Sequence, residues 1–297
     1  MLGVFDSGFG GLTVLRAIHE RLPNVSTVYL GDNARAPYGT RTHEEIFQFT
    51  LDGIRELFRR DCPLVIVACN TSSAQALRQI QQTILPAEFP DRRVLGVIRP
   101  TAEEIVSMSS AGHIGVFATT ATVSSGAYLR EIEDASVSSP RLPSFRKEGL
   151  GVVRVSQVAC PGLVDLIETG RERSIEADEL VAKFCDQLIA VDPLVDTILL
   201  GCTHYPLVEN LFTKHLANRR VISQGTIVAD KLVDYLDRHP EIDARVDQTG
   251  SREYLTTKSD DGISSLASRF YGADVRFGCV ELANGTKVPM NSISQGL

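Results

Sequence analysis

Residues Thr197–Pro206 read Thr-Ile-Leu-Leu-Gly-Cys-Thr-His-Tyr-Pro. The apolar run before the glycine has the length and the two-sided hydrophobicity of a strand buried in a parallel sheet. Cys202, Thr203 and His204 follow on a predicted turn, and the closing proline suits the first turn of a helix over 207–216. A thiol, a hydroxyl and an imidazole are therefore expected at the carboxyl end of a strand, where open α/β folds bind their ligands.

The same design occurs earlier in the chain. Residues Leu64–Thr71 read Leu-Val-Ile-Val-Ala-Cys-Asn-Thr, and a helical stretch is predicted over 72–83. An apolar strand again ends in a small residue, which a cysteine and a polar residue follow. We interpret the two stretches as an internal repeat and predict that Cys69 and Cys202 face each other as a pair.

Predicted strands and helices alternate along the chain, which favours an α/β fold with mostly parallel sheets covered by helices on both faces. The repeat indicates two similar open-sheet domains. We predict a first domain over 1–98 and 207–297 and a second domain over 99–206, so that the chain leaves the first domain and returns to it. Three further predicted elements are a strand at 94–98, one helix at 124–133 and a strand at 273–282.

Composition limits the possible classes of protein. A chain of 297 residues with 43% hydrophobic residues fits a soluble globular protein, and its net charge of −7 argues against broad, sequence-independent nucleic-acid binding. No apolar run approaches the roughly 18–20 residues of a membrane span, and we see no secretory leader. The six cysteines are scattered without a Cys-x-x-Cys pair, which favours free thiols. We therefore expect a cytoplasmic protein.

A glycine-rich turn follows the first predicted strand, Leu2–Phe5, and reads Asp-Ser-Gly-Phe-Gly-Gly over 6–11. The glycines permit a tight turn and a close approach of the backbone to a ligand. The pattern is not Gly-x-Gly-x-x-Gly, and Asp6 would repel a phosphate. The sequence therefore argues against a dinucleotide site at this turn.

Polar residues occupy four of the predicted strand-to-helix turns. Free backbone N–H groups and the helix dipole bind carboxylates at such ends, and the same field lowers the pKa of a thiol from about 8.5. Asp6 and His204 are natural proton partners for the two thiols. The four turns are Asp6-Ser7, Cys69-Asn70-Thr71, Thr119-Thr120-Ala121-Thr122 and Cys202-Thr203-His204.

Several of these residues also have a plainer interpretation. A cysteine at the end of a buried strand usually acts as a small apolar side chain. We assign that role to the other four cysteines, Cys62, Cys160, Cys185 and Cys279. Asp6 could simply cap a helix, and the pattern around Glu168 favours a solvated charge. The five other histidines lack ligand spacing, so we predict no metal site.

Six motifs resemble glutamate racemase, of the cofactor-independent aspartate/glutamate racemase superfamily, and occur in the same order. The likeness runs from Gly3 to about Leu236. The motifs are Gly-Val-Phe-Asp-Ser-Gly-Phe-Gly-Gly at 3–11, Gly31-Asp32 with Pro37-Tyr38-Gly39, Ala68-Cys69-Asn70-Thr71, Ala121-Thr122-Val123, Ala159-Cys160-Pro161, and Gly-Cys-Thr-His-Tyr-Pro at 201–206.

The resemblance implies two α/β domains related by a pseudo-twofold, with an active site between them that interconverts L- and D-glutamate for peptidoglycan synthesis without a cofactor. It implies that Cys69 acts on the D-enantiomer and Cys202 on the L-enantiomer. Asp6 and His204 would assist the two thiols, and Glu168 would be the partner of that histidine. The implied substrate-binding residues are Asp6, Ser7, Tyr38, Gly39, Asn70, Thr71, Thr120, Thr122, Thr203 and His204.

Two other functions stay open at this point. A racemase of aspartate, hydantoin or another amino acid could use the same frame. A binding or regulatory protein with an inactive site is the second alternative, since some glutamate racemases are reported to bind DNA gyrase, although the intact Cys69 and Cys202 argue against it. Arg99 stands where many members have Glu. This departure affects a local hinge or an allosteric contact and not the chemistry. We expect a homodimer that binds no nucleic acid directly.

Overall fold

Two parallel sheets form the framework of the computed structural model, which describes residues 1–138, 153–259 and 263–282. Within those ranges every strand pair is parallel. The strands are β1 Leu2–Asp6, β2 Thr27–Gly31, β3 Leu64–Val67, β4 Arg93–Gly96, β5 His113–Ala118, β6 Arg154–Ala159, β7 Thr197–Gly201, β8 Arg220–Ser223, β9 Arg252–Thr256 and β10 Gly278–Cys279.

Helices and short helical turns connect the strands. The helices are α1 Leu12–Arg21, α2 His43–Arg59, α3 Asn70–Gln75, α4 Leu77–Gln79, α5 Leu85–Glu88, α6 Ile98–Met108, α7 Thr120–Ser125, α8 Ala127–Ser138, α9 Leu163–Glu168, α10 Ile175–Val191, α11 Glu209–His215, α12 Gly225–Arg238, α13 Pro240–Asp243 and α14 Ile263–Tyr271. The two helices of 17 residues, α2 and α10, begin with the expected capping chemistry. Thr42 and Glu45 form a capping box at α2, and the Ser174 hydroxyl accepts the N–H of Ala177 at α10.

Strand order reveals the internal repeat. The first sheet has the order β10-β9-β2-β1-β3-β4 and the second has the order β6-β5-β7-β8. In each sheet the first strand of the repeat lies between the second and the third, and the fourth follows the third. Cys202 comes directly after the third strand of its repeat, and Cys69 follows the end of the equivalent strand after one intervening residue, Ala68. The predicted α/β class with two parallel sheets is confirmed.

The return of the chain to the first sheet differs from the predicted boundary after residue 206. Strand β8 pairs with β7, in a register that places Thr197 opposite Arg220, so 220–223 belongs to the second sheet. The repeat explains this pairing, because β8 occupies the place that β4 holds in the first sheet. We propose that the second domain extends to Ser223 and that the chain returns at α12.

Four of the predicted elements have different bounds. Ile98 begins α6 instead of ending a strand, because a proline at the third helical position needs no hydrogen bond to its nitrogen. The helix predicted at 124–133 is divided into α7 and α8 at Gly126, which has a left-handed φ of 63°. The strand predicted at 273–282 is reduced to β10, and the predicted helix 207–216 begins as a 3-10 turn, Tyr205–Val208.

The largest buried cluster spans both sheets. It joins Val4 on β1 and Leu12 on α1 to Leu200 on β7, Phe212 on α11 and Leu232 on α12. All five side chains are at most 2% exposed. Because a close-packed interior resists shear, this shared core fixes the position of one sheet relative to the other. None of the helices in the described ranges has the length and apolar character to cross a membrane.

Candidate active site

Strands from the two sheets end at one cleft. The turns after β1, β3, β5, β6 and β7 all contribute to its walls, which is the outcome expected for the carboxyl ends of parallel strands. Asp6 and Thr122 are fully buried and are not among the lining residues. The other predicted site residues line the cleft: Ser7, Tyr38, Gly39, Cys69, Asn70, Thr71, Thr120, Glu168, Cys202, Thr203 and His204.

Cys69 is the N-cap residue of α3. Its sulfur accepts the N–H of Ser72 at 3.5 Å and lies 3.4 Å from the hydroxyl of Ser7. Burial and the charge of Asp6 raise the pKa of Cys69 to about 11, against the opposing effect of these hydrogen bonds. The sequence predicted a lowered value. Desolvation prevails because α3 is only six residues long and the sulfur is 5% exposed.

Cys202, His204 and Glu168 form a chain of contacts on the opposite side. Nδ1 of His204 lies 3.9 Å from the Cys202 sulfur, and Nε2 lies 2.9 Å from Oε1 of Glu168. Burial alone lowers the pKa of His204, but its hydrogen bonds with Cys202 and Glu168 prevail and raise it to about 10. The imidazolium therefore places a positive charge beside the Cys202 sulfur, which complements a thiolate.

Glu168 ends α9 and is partly exposed, with 27% of its side chain accessible. Burial raises its pKa, but the hydrogen bond and the charge of His204 have the larger combined effect and lower it. Its partnership with the histidine, which the resemblance implied, is present in the geometry. The sequence pattern alone favoured a solvated charge, because a contact from α9 to the β7 turn leaves no local signal.

Asp6 lies beside Thr203, and its charge acts on the Cys69 thiol. Its carboxylate accepts the N–H of Gly8 at 3.0 Å, and the hydroxyl of Thr203 lies 3.5 Å from the other oxygen. Burial raises the pKa of Asp6, while the charge of His204 and the backbone N–H groups oppose that rise. A negative Asp6 therefore disfavours the thiolate of Cys69 and favours the imidazolium of His204.

Three threonine hydroxyls connect the first sheet with the second. Thr71 lies 3.0 Å from Thr119 and 3.4 Å from Thr122, and the last two are 3.0 Å apart. Thr119 also caps α7 by accepting the N–H of Thr122. The cluster fixes the turn that carries Cys69 against the turn after β5. Thr120 lines the cleft beside it.

Tyr38 and Gly39 form the rim contributed by a 3-10 turn, Tyr38–Thr40. The Tyr38 hydroxyl donates to Asp32, so its proton is committed within the protein. Burial and the charge of Asp32 raise the pKa of Tyr38 well above its ordinary value. Asp32 also accepts hydrogen bonds from Arg35 at 2.6 Å and Thr257 at 2.8 Å. This buried network holds the rim in place.

Asn70 lines the cleft and has an amide donor that is unpartnered among the described residues. Its amide oxygen accepts a hydrogen bond from the Tyr128 hydroxyl at 2.6 Å. Its amide nitrogen is buried and has no hydrogen-bond partner in the described part of the chain. An unsatisfied buried N–H group is costly, so this nitrogen is a strong candidate for binding an anionic ligand.

Sequence reasoning missed several residues that line or contact the site. Thr119 was placed on a polar turn but not among the substrate-binding residues, because the motif of the family begins only after it, and it lines the cleft. Phe270 on α14 packs its ring edge-on against His204, with 5.1 Å between the ring centroids. It lies beyond the region of resemblance, so no motif signal could identify it. Cys160, interpreted above as a plain core residue, also borders the cleft, whereas Arg99 lies outside its lining and pairs with Glu103.

No three His, Cys, Asp or Glu side chains within 1–138, 153–259 and 263–282 are grouped so that they could hold a metal ion. Cys62 and Cys185 are buried away from the cleft lining, and Cys279 is exposed. The chemical groups that line the cleft therefore include the thiols of Cys69, Cys160 and Cys202, the pair of His204 and Glu168, and the Asp165 carboxylate.

The ion pair between His204 and Glu168 predicts a specific pH dependence of stability. The pKa of His204 is raised from 6.5, so its contribution is complete below pH 6.5 and is lost as the pH rises toward about 10. The pKa of Glu168 is lowered from 4.5, so its contribution is lost as the pH falls below 4.5. We expect the difference in unfolding free energy between the wild type and Glu168→Gln to be largest between these two ordinary values and to shrink toward pH 10.

Urea unfolding of both proteins over this pH range measures the difference. Glu172→Gln is the matched control, because Glu172 pairs with Arg269 and not with a histidine. The control difference is expected to stay flat above pH 6.5. A Glu168→Gln difference that stays constant or grows up to pH 10 would contradict the assigned charge of His204.

Comparison with known proteins agrees with the motif resemblance. Residues 3–232 match the family described as Asp/Glu/Hydantoin racemase. A glutamate racemase of Roseobacter denitrificans is 42% identical over 287 residues, which cover 93% of this chain and 98% of that protein.

Solved structures show the same relationship. A glutamate racemase isoform of Bacillus anthracis has a TM-score of 0.81 at 30% identity, covering 95% of this chain and 97% of that one. The glutamate racemase of Francisella tularensis in complex with D-glutamate has a TM-score of 0.79 at 26% identity, with the same coverage of 95% and 97%. The resemblance inferred from the motifs is confirmed, and the chain belongs to the Asp/Glu/Hydantoin racemase family.

Proposed function

We propose that the protein interconverts L- and D-glutamate without a cofactor, with Cys69 and Cys202 as the two proton-transferring groups. The observation that carries this proposal is the position of the two thiols, which follow equivalent strands of the two sheets and line one cleft. Racemisation requires a base on one face of the α-carbon and an acid on the other, and a pair of thiols supplied by opposite domains suits that need. Glutamate is the substrate in the names of the relatives described above.

In the proposed reaction, one cysteine takes the α-proton as a thiolate and the other delivers its thiol proton to the opposite face. The raised pKa of Cys69 keeps its proton in place when the cleft is empty. The imidazolium of His204 beside Cys202 is arranged to support a thiolate. With L-glutamate, Cys202 would remove the α-proton while Cys69 protonates the other face. With D-glutamate, the two cysteines would exchange these roles.

Stabilisation of the carbanion is assigned to fixed polar groups of the cleft. The α-proton of an amino acid is very weakly acidic, so developing charge on the carboxylate needs donors that are already oriented. The free amide nitrogen of Asn70 and the hydroxyls of Ser7, Thr71 and Thr203 are the proposed donors. Exclusion of water by a closed cleft would strengthen each of these interactions.

The partners of the two thiols are expected to act on different sides. Asp6→Asn should slow the Cys69 step, because it removes the carboxylate that we assign to relay the proton of that thiol. His204→Asn should slow the Cys202 step, because it removes the imidazolium 3.9 Å from that sulfur. The equilibrium constant of racemisation is one, so kcat/KM must fall equally in the two directions.

Isotope effects therefore separate the two steps. We expect Asp6→Asn to show a larger primary effect with D-[2-²H]glutamate and His204→Asn with L-[2-²H]glutamate. The wild-type protein with both deuterated enantiomers is the reference. Equal isotope effects in both variants and in the wild type, with both substrates, would show that the partners are not side-specific.

Circular dichroism of L- and D-glutamate mixed with the purified protein tests the function itself. Both solutions are expected to lose their signal and converge on the racemate, whereas aspartate and hydantoins should react far more slowly. Activity should survive dialysis against EDTA, and the protein should show no pyridoxal absorbance. No loss of signal with glutamate, or a preference for another amino acid, would overturn the assignment of substrate.

The setting of the reaction is part of the proposal. D-glutamate would serve bacterial peptidoglycan synthesis in the cytoplasm, and the protein would act as a homodimer that binds no nucleic acid directly. Sedimentation velocity checks the assembly, because a dimer sediments with twice the mass of the single chain. A single-chain mass at all protein concentrations would remove the homodimer from the proposal.

A further inference from the structure

Tyr128 touches both of the turns that carry the reactive cysteines. It lies at the start of α8, is fully buried, and donates its hydroxyl proton to Asn70, the residue after Cys69. A Cβ placed on Gly201, the residue before Cys202, would lie 2.9 Å from the Tyr128 ring. The tyrosine side chain therefore packs directly beneath one catalytic turn and hydrogen-bonds to the other.

We propose that Tyr128 is a positioning residue that fixes the amide of Asn70 with its two N–H donors directed at the substrate carboxylate. The proposal rests on the proposed racemase function and adds to it a residue outside the cleft lining. The geometry carries the argument, because the hydrogen bond of 2.6 Å holds the amide oxygen of Asn70 and leaves the unpartnered nitrogen for the ligand. Without that bond, a half-turn of the amide would present the oxygen, which repels a carboxylate.

Gln224 is the second contact of the Tyr128 hydroxyl. Its amide oxygen lies 3.3 Å from that hydroxyl, and its amide nitrogen has no partner in the described residues. A hydroxyl has a single proton, which the shorter contact assigns to Asn70. A half-turn of the Gln224 amide then lets its N–H group donate a hydrogen bond to the tyrosine oxygen. Hydrogen bonds would run from Gln224 to Tyr128 to Asn70 and onward to the substrate.

The three residues come from different parts of the fold, and each is nearly inaccessible. Tyr128 is 0% exposed, Gln224 is 1% exposed and Asn70 is 2% exposed. Gln224 lies directly before α12, between the last strand of the second sheet and the return of the chain to the first. Substrate binding at Asn70 therefore depends on the same packing that holds the two domains together.

Tyr128→Phe tests the proposal, because it keeps the ring beneath Gly201 and removes only the hydroxyl. We expect KM for both enantiomers of glutamate to rise about 10-fold, with kcat lowered by less than about 3-fold. Tyr271→Phe is the matched control. It removes a buried hydroxyl that lies 2.8 Å from His19 and outside the cleft lining, so KM should not change.

A double-mutant cycle separates positioning from general loosening of the fold. Asn70→Ala should raise KM, and adding Tyr128→Phe to it should raise KM no further. A wild-type KM in Tyr128→Phe, or the same increase in both backgrounds, would overturn the proposal. Failure of the racemase function is distinguishable, because the unaltered protein would then show no racemisation of glutamate.

A second variant tests the proposal if Tyr128→Phe does not fold. Gln224→Glu, assayed above the pH at which the introduced acid ionises, accepts the Tyr128 proton and reverses the direction of the hydrogen bonds. KM should again rise while kcat changes less. An unchanged KM in this variant would also contradict the proposed direction of the hydrogen bonds.

Discussion

Cys69→Ser and Cys202→Ser are each expected to lower the rate of glutamate racemisation by about 10³-fold or more while leaving the fold intact. A hydroxyl is a far poorer acid than a thiol at neutral pH, and a correctly placed acid or base contributes about 10²–10⁴-fold to such a reaction. Both sulfurs are only 5% exposed, and replacement by the smaller oxygen removes little buried volume. The measurement is the initial rate of change in circular dichroism from each enantiomer.

Cys279→Ser is the control for these two variants, because its thiol is exposed and lies outside the cleft lining. It should retain the activity of the wild type. Near-wild-type racemisation in either Cys69→Ser or Cys202→Ser would refute the assignment of two thiols. Unfolding curves of all three variants establish that any loss is not a loss of structure.

Exchange of the α-proton in D₂O tests which thiol acts on which enantiomer. Cys69→Ser retains Cys202, so it should still exchange the α-proton of L-glutamate with solvent without inverting it. Cys202→Ser should exchange only D-glutamate in the same way. If Cys69→Ser exchanged only D-glutamate and Cys202→Ser only L-glutamate, the enantiomer assigned to each thiol would be reversed. The two-thiol reaction itself would stand.

The sequence predicted those parts of the site that depend on strand ends. The apolar runs before Cys69 and Cys202 place both thiols at the carboxyl edges of parallel sheets, and that geometry follows from strand polarity alone. The contacts of Tyr128, Thr119 and Phe270 could not be predicted, because each joins elements that are distant in sequence. Their positions depend on how the two sheets pack, which a pattern of apolar residues does not encode.

The same limit explains the pKa of Cys69. The sequence correctly places this residue at a helix N-terminus, and that position alone favours a thiolate. The depth of burial and the distance to the charge of Asp6 are products of tertiary packing, and they reverse the sign of the shift. A local motif identifies the reactive group, whereas its resting protonation depends on the assembled site.

Gly10→Ala is expected to lower kcat/KM by about 10²-fold although the residue has no side chain of its own to contribute. A Cβ at this position would lie 2.3 Å from the hydroxyl oxygen of Thr203 and 2.5 Å from Nδ1 of His204. His204 cannot withdraw easily, because Glu168 holds its other nitrogen at 2.9 Å and Phe270 packs against its ring. Displacement of a catalytic group by about 1 Å can cost about 10²-fold in rate.

The same clash should lower the free energy of unfolding by about 1–3 kcal/mol, as overpacking of a tight interior does. Gly8→Ala is the matched control in the same turn, because its Cβ would lie 3.4 Å from the Glu168 carboxylate, an ordinary contact. It should retain activity within a few-fold of the wild type. Steady-state kinetics and urea unfolding measure both effects. If Gly10→Ala kept the activity and stability of the wild type, the glycine-rich turn would not be in tight contact with the turn that carries Thr203 and His204. The close packing of these two turns in the site would then be wrong.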